Sequence, residues 1–307
     1  MRVTNGMIIN TSLNGLYNNM NAMNKTYAQM ATGKKIQTVS DDPIVAGRAL
    51  KLKTTVLEAD QFESNLKEAM SWMEVTESSL GNMSEILKTI RTKCVQASTG
   101  TLNKEDLLVI QTDIKQLWKQ LQEEANTTYA GRYIFSGFKT DQKLVDEDKA
   151  VPPSVINDNI NTKEQDINYE VGVGSTVNVN VTGMEEVLKE MEKEFNEIFS
   201  NVENSLADEN IDSTDLNKMF TDKLEAIDGI IQSISEKTSD LGSRMNRVEY
   251  TQERLSDQKT VFKNLLSETE DVDIEEVYTN FNVQYATYQS ALQATAKVIK
   301  NTLADYL

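Results

Sequence analysis

Leu66, Ala69, Met73, Thr76, Leu80, Met83, Leu87, Ile90, Cys94 and Ala97 follow one another at steps of three and four without a break. That spacing keeps one narrow stripe on one side of a helix, so this stretch predicts a long helix lying along a second helix. Three prolines and 13 glycines in 307 residues leave few places to interrupt it, and long helices are the expectation for most of the chain. Ser98-Thr99-Gly100-Thr101 ends the stripe. Asn103 and Asp106 resemble a capping arrangement for a further helix carrying Leu107, Ile110, Ile114, Leu117 and Leu121, which Gly131 would end in a left-handed turn. Two antiparallel helices joined by a short turn follow.

The same spacing recurs toward both ends. Leu13, Leu16, Met20, Met23, Tyr27 and Met30 make a narrow stripe among many Asn, Thr and Ser residues, which are poor helix formers, so this helix is expected to order only when a partner covers it. Beyond Ala31-Thr32-Gly33-Lys34-Lys35, the block Ser40-Asp41-Asp42-Pro43 offers an aspartate to cap free amides and a proline for the first helical position. Val187, Leu188, Met191, Phe195, Ile198 and Phe199 form another stripe, followed by a break near residues 208–213. The long segment after it carries Leu216, Phe220, Leu224, Ile227, Ile231 and Ile234, then Leu241, Val248, Leu255 and Phe262 at every seventh residue, with Met245 and Leu266 in the companion row. The last helix places Ile274, Phe281, Tyr288 and Thr295 in one row, and Val277, Tyr285, Leu292, Ile299 and Tyr306 near the next.

Between residues 132 and 182 the period changes. Tyr133-Ile134-Phe135-Ser136-Gly137-Phe138 is short and aromatic, and Tyr169, Val171 and Val173 alternate with other residues before Gly174-Ser175, as do Val177, Val179 and Val181 after it. This predicts a hairpin, with residues 141–166, which contain Pro152-Pro153, as loop over a small sheet. The expected fold is therefore mainly α: an elongated rod of long antiparallel helices, N- and C-terminal helices paired, with a small β-rich insertion. The expected domains are 1–40 with 266–307 as the terminal helical pair, 41–140 with 183–265 as a helical bundle, and 141–182 as the insertion. Apolar stripes carried to the chain ends need another surface to bury them.

Several function classes are disfavoured. A formal charge of −17 repels nucleic-acid phosphates. With no histidine and one cysteine, the usual general base, the commonest metal ligand and an internal disulfide are all missing, and no catalytic residue, cofactor or metal is expected. No apolar stretch approaches the roughly 20 residues that span a bilayer, and Met1-Arg2-Val3-Thr4-Asn5-Gly6 has no secretory signal pattern, so membrane insertion and a cleaved leader are not expected. Cys94 sits on the stripe and reads as a small core residue. Ala28 to Lys35 lacks the first glycine and the Ser or Thr of a phosphate loop. Asp271, Asp273, Glu275 and Glu276 suit a helix start better than a calcium loop. Trp72, Trp118, Tyr133 and Phe135 read as packing or interface anchors.

Five blocks carry a family resemblance: Met1 to Asn5, Ala31 to Ile36, Ser40 to Pro43, Ala125-Asn126-Thr127 through Gly131-Arg132-Tyr133-Ile134-Phe135-Ser136-Gly137, and Leu303 to Leu307. They resemble the flagellin-like family of hook-filament junction proteins, the third hook-associated proteins of bacterial flagella. The terminal and Asp-Asp-Pro blocks are similar to flagellins in general, and the Gly-Arg-Tyr-Ile-Phe-Ser-Gly run to the junction proteins in particular. The resemblance implies an extracellular structural adaptor joining hook to filament, exported through the flagellar type III channel and assembled as a ring. Its implied partners are the first hook-associated protein, flagellin, neighbouring copies of itself, and an export chaperone on the C-terminal helix. The implied assembly residues are Leu13, Leu16, Met20, Met23, Tyr27, Met30, Asp41, Asp42, Pro43, Arg48, Phe281, Tyr285, Tyr288, Leu292 and Ile299. A minor flagellin of the same architecture and a non-flagellar coiled-coil scaffold are the alternatives.

Overall fold

The computed structural model describes residues 5–99, 104–146, 156, 160, 165–207 and 213–300. In chain order these form α1 (Asn5–Thr32), α2 (Pro43–Ser98), α3 (Lys104–Ala125), β1 (Thr128–Tyr129), β2 (Arg132–Tyr133), β3 (Asn168–Gly172), β4 (Ser175–Asn178), α4 (Met184–Ala207), α5 (Ser213–Glu270) and α6 (Ile274–Lys300). The chain divides into two compact units, residues 1–59 with 257–307 and residues 60–256.

The larger unit holds the main core. All ten stripe residues from Leu66 to Ala97 are completely buried on α2. Thr76 is tolerated there because its hydroxyl donates to the Trp72 carbonyl one turn back, at 2.8 Å. The helices run up and down. Lys93 pairs with Asp113 at 2.7 Å, while Ser79 donates to the Glu124 carbonyl at 3.0 Å, so α3 returns antiparallel along α2. Trp118 meets Phe195 with centroids 4.9 Å apart and Gln111 donates to the Phe199 carbonyl at 3.2 Å, which sets α4 antiparallel to α3. Lys223 reaches Glu194 at 2.7 Å and also Glu197, and Lys237 donates to the Thr182 carbonyl at 2.7 Å, bringing α5 back along α4.

Some register details differ from the stripe reading. Trp118 is buried where Leu117 is only half-buried, and Ile230 where Ile231 is half-buried. A helix turns about 100° per residue, so over several turns neighbouring positions exchange at the edge of the buried face. Gly131 does not end α3, which stops at Ala125. It shares with Ala130 (φ 50°) the two-residue left-handed turn of the β1–β2 hairpin, at φ 78°. The helix stops earlier because the Asn126 side chain turns to the backbone of Val145, donating to its carbonyl at 2.8 Å and accepting its amide at 3.1 Å. The Asn103 cap and residues 208–212 lie outside the described residues.

β3 and β4 form the hairpin read from the alternation, turning at Val173-Gly174 with an irregularity between Glu170 and Gly172. The stretch read as loop contributes more than a covering. Val145 bridges Ile156, and Leu144, Val145, Ile156 and Ile160 are buried. A second buried asparagine, Asn180, binds the neighbouring backbone on both sides of its amide, accepting from Ile167 at 2.8 Å and donating to the Gln165 carbonyl at 2.7 Å.

Candidate functional site

The smaller unit carries all fifteen residues singled out for assembly. α1 and α6 pack against each other along their lengths. Thr26 donates to Gln284, Tyr27 lies against Phe281 with centroids 6.2 Å apart, and further down the Val272 amide donates to the Gly33 carbonyl at 3.0 Å. As α1 advances, its partner positions on α6 decrease, so the pair is antiparallel.

The end of this helical pair is closed by backbone. Gly33 leaves α1 in a left-handed conformation, φ 70°, and its amide donates to the Gln29 carbonyl at 2.8 Å. Lys34 then bridges Asp271, and the Lys35 amide donates to the Glu270 carbonyl at 2.7 Å. Lys34 also forms an ion pair with Glu270, and the Lys35 ammonium donates to the Glu268 carbonyl at 3.1 Å. The lysines once compared with a phosphate loop are thus tied to the α5–α6 connection. Asp273 caps α6, accepting from the Glu275 and Glu276 amides at 2.9 and 3.3 Å.

The Asp-Asp-Pro block divides its labour. Asp42 caps α2, accepting from Ile44 and Val45 at 3.0 and 3.1 Å, with Pro43 in the first helical position. Asp41 instead holds the preceding turn. Its carboxylate accepts the Thr38 amide and hydroxyl, both at 3.1 Å, and the Gln37 amide at 3.3 Å, with Lys25 at 3.5 Å. The hydrogen bonds from Thr38, then Gln37 and the Lys25 charge, hold the Asp41 carboxyl below the usual range. Arg48 is exposed on α2.

Leu13, Leu16, Met20, Met23 and Met30 are half-buried on α1, and Tyr27 is 55% exposed. On α6 the covered row is Val277, Phe281, Gln284, Tyr288, Ala291 and Thr295, with Val277 and Thr295 buried and the others half-buried. Tyr285 and Leu292 fall on the neighbouring row and are 47% and 42% exposed, as are Tyr278 and Val283 at 57% and 60%. The Ile299 side chain lies outside the described residues. Sequence reasoning missed Thr26 and Gln284 because both are polar, although their heptad positions mark them as part of the contact. The pairing between 33–35 and 270–272 left no periodic signal at all.

The fold class is thus mainly helical, with terminal helices paired into an antiparallel hairpin, a helical bundle and small two-stranded sheets. Residues 3–140 match the bacterial flagellin N-terminal helical region and residues 224–307 match the bacterial flagellin C-terminal helical region, together more than two thirds of the chain. The chain belongs to the flagellin family. Flagellar hook-associated protein 3 of Escherichia coli K12 is 35% identical over 150 residues, covering 48% of this chain and 47% of that protein. The chain therefore matches about half the length of that relative. Flagellin of Bacillus subtilis 168 is 24% identical over 291 residues, covering 92% of this chain and 90% of that protein. The crystal structure of flagellar hook associated protein-3 from Legionella pneumophila shares the fold, with a TM-score of 0.58 at 16% identity over 71% of this chain and 97% of that one.

Proposed function

We propose that this protein is the structural adaptor joining flagellar hook to filament, exported through the flagellar type III channel and assembled as a ring between the first hook-associated protein and flagellin. The observation that carries the reading is the α1–α6 hairpin. Its two helices contribute to the flagellin-type terminal regions, and it leaves Met7, Tyr17, Tyr278, Val283, Tyr285 and Leu292 exposed. Apolar side chains repeated on one narrow pair of helices favour burial against neighbours of the same construction. Leu13 to Met30 and Phe281 to Ile299 then supply the contacts of the assembled tube, and Asp41, Asp42, Pro43 and Arg48 lie in the part of α2 and its cap that meets adjoining subunits. Before export, a chaperone covers the C-terminal helix. The identity with hook-associated protein 3 supports the junction position.

The test is deletion of the gene in a flagellated host. The adaptor reading expects completed hooks without filaments and flagellin released into the medium, both reversed by the wild-type gene. Normal filaments in the deletion strain contradict it. The near full-length alignment with Bacillus subtilis flagellin favours a second reading, a filament subunit, for which deletion shortens or thins filaments instead of detaching them.

A further inference from the structure

The two units treat methionine differently. In the bundle, Met73, Met83, Met184 and Met191 are completely buried, and Met70 and Met245 are half-buried. Among the described residues of the smaller unit every methionine lies on α1 and none is buried. Met7 is 59% exposed, and Met20, Met23 and Met30 are half-buried. The last three follow at steps of three and seven, so they share one face of α1. Thr26 and Tyr27, which stand between Met23 and Met30, meet Gln284 and Phe281 of α6. Continued to Gly33 against Val272, this register brings Met30 level with Val277, Met23 with Tyr288 and Met20 with Ala291, all on the covered row of α6.

These thioethers sit on a helix that opens easily. α1 is rich in asparagine and carries Gly15 in its interior, both unfavourable in a helix. Of its described side chains only Thr26 is buried, whereas α2 buries an unbroken stripe. A helix with so few buried contacts opens locally far more often than a core helix does, and each opening bares the sulfur atoms. A thioether is a soft nucleophile. Its lone pair attacks the terminal oxygen of a hydroperoxide, and an S–O bond forms as the O–O bond breaks. Sulfur is oxidised by two electrons, the peroxide is reduced, and the proton of the transferred oxygen passes to the leaving oxygen, which departs as water when the oxidant is hydrogen peroxide.

We propose that Met20, Met23 and Met30 form an oxidative modification site, at which a hydroperoxide converts the three thioethers of the unassembled subunit to sulfoxides and so keeps that subunit out of the assembly. Each sulfoxide puts a polar S=O group on the narrow apolar stripe that a partner surface has to bury, where an unmatched acceptor is costly. Once α1 is covered by neighbours the same sulfurs are shielded, so the modification acts before incorporation. A reductase specific for methionine sulfoxide reverses it. The effect on incorporation rests on the adaptor reading, whereas the order in which the methionines react does not.

The test treats the full chain with dilute hydrogen peroxide and follows each methionine by peptide mass spectrometry. Met7 gives the rate of an open thioether, and Met73, Met83, Met184 and Met191 give that of a closed one. Met20, Met23 and Met30 should react at least about tenfold faster than the closed four and about threefold faster than Met70 and Met245, the half-buried pair on the bundle. In denaturant these differences should vanish. Oxidised or untreated protein is then supplied with flagellin to cells of the deletion strain, and regrown filaments are counted. Oxidation should cut their number by about tenfold, and methionine sulfoxide reductase with a dithiol should restore it. M70L/M245L should lose filament regrowth on oxidation as the wild type does, whereas M20L/M23L/M30L, measured against its own untreated sample, should lose about twofold at most. The proposal is overturned if Met20, Met23 and Met30 react no faster than Met70 and Met245. It is also overturned if oxidised protein restores filaments as well as untreated protein, or if M70L/M245L is protected from the loss. Untreated protein that restores no filaments counts against the adaptor reading instead, and the reaction order and its reversal by the reductase then decide the modification site alone.

Discussion

Replacing Gly137 by alanine tests why the Gly-Arg-Tyr-Ile-Phe-Ser-Gly run has its shape. Gly137 sits at φ 60°, and a Cβ there would lie 2.5 Å from Gln165 Oε1, the atom that accepts the Phe138 amide at 2.9 Å. An alanine in the left-handed region costs about 1–2 kcal/mol. Displacing Gln165 also removes a hydrogen bond of about 1 kcal/mol, for a total near 2–3 kcal/mol. Q165A alone loses about 1 kcal/mol, and in that background G137A should cost only its backbone share of about 1–2 kcal/mol. The double variant is therefore less destabilised than the sum of the singles by about 1 kcal/mol. Urea unfolding followed by fluorescence reads this directly, because both tryptophans, Trp72 and Trp118, lie in the 60–256 unit that contains Gly137. A G137A variant within about 0.5 kcal/mol of wild type, or strictly additive effects, would refute the steric account.

Leu87→Ala, which empties a fully buried site on α2, should destabilise by about 2–5 kcal/mol in the same assay, whereas Leu292→Asp on exposed α6 should leave the bundle's unfolding midpoint unchanged yet prevent filament attachment in cells. Cys94 is completely buried and desolvation pushes its thiol up to about 12, so a thiol reagent at pH 8 should modify it only after denaturant is added; rapid labelling of the native protein counts against the packing described. Because hydrogen bonds from Thr38 and Gln37 depress the Asp41 carboxyl, its contribution is present above the unfolded carboxylate pKa and is lost as pH falls through the lower, folded value. A carboxyl-resolved NMR titration should place Asp41 below the usual carboxylate range, and Thr38→Ala should raise it; no rise contradicts the assigned hydrogen bonds.

The helical part of the fold was legible because periodic burial writes itself into the sequence. The stripe from Leu66 to Ala97 is buried at every position, and Asp42-Pro43 and Asp273 cap the helices they precede. The β region was legible only where strands alternate. Its short β1–β2 hairpin is specified by a two-residue turn at Ala130-Gly131, and its interior by Asn126 and Asn180 bonding to distant backbone, neither of which has a period. On α6 the apolar residues outnumber the positions one partner helix can cover. Sequence alone therefore grouped Tyr285 and Leu292 with the stripe, while the hairpin covers Gln284 and Ala291 instead. The family could be read from residue blocks. The site residues could not be sorted into those used within one chain and those left for a neighbour until the α1–α6 register was known.

Position along the organelle tests the central claim most directly. Gold-labelled antibody against the 60–256 unit, applied to intact flagella and viewed by electron microscopy, should mark one narrow band where hook meets filament. Label distributed along the filament would contradict the adaptor account in favour of a filament subunit, and flagella without label would remove the protein from the structure altogether.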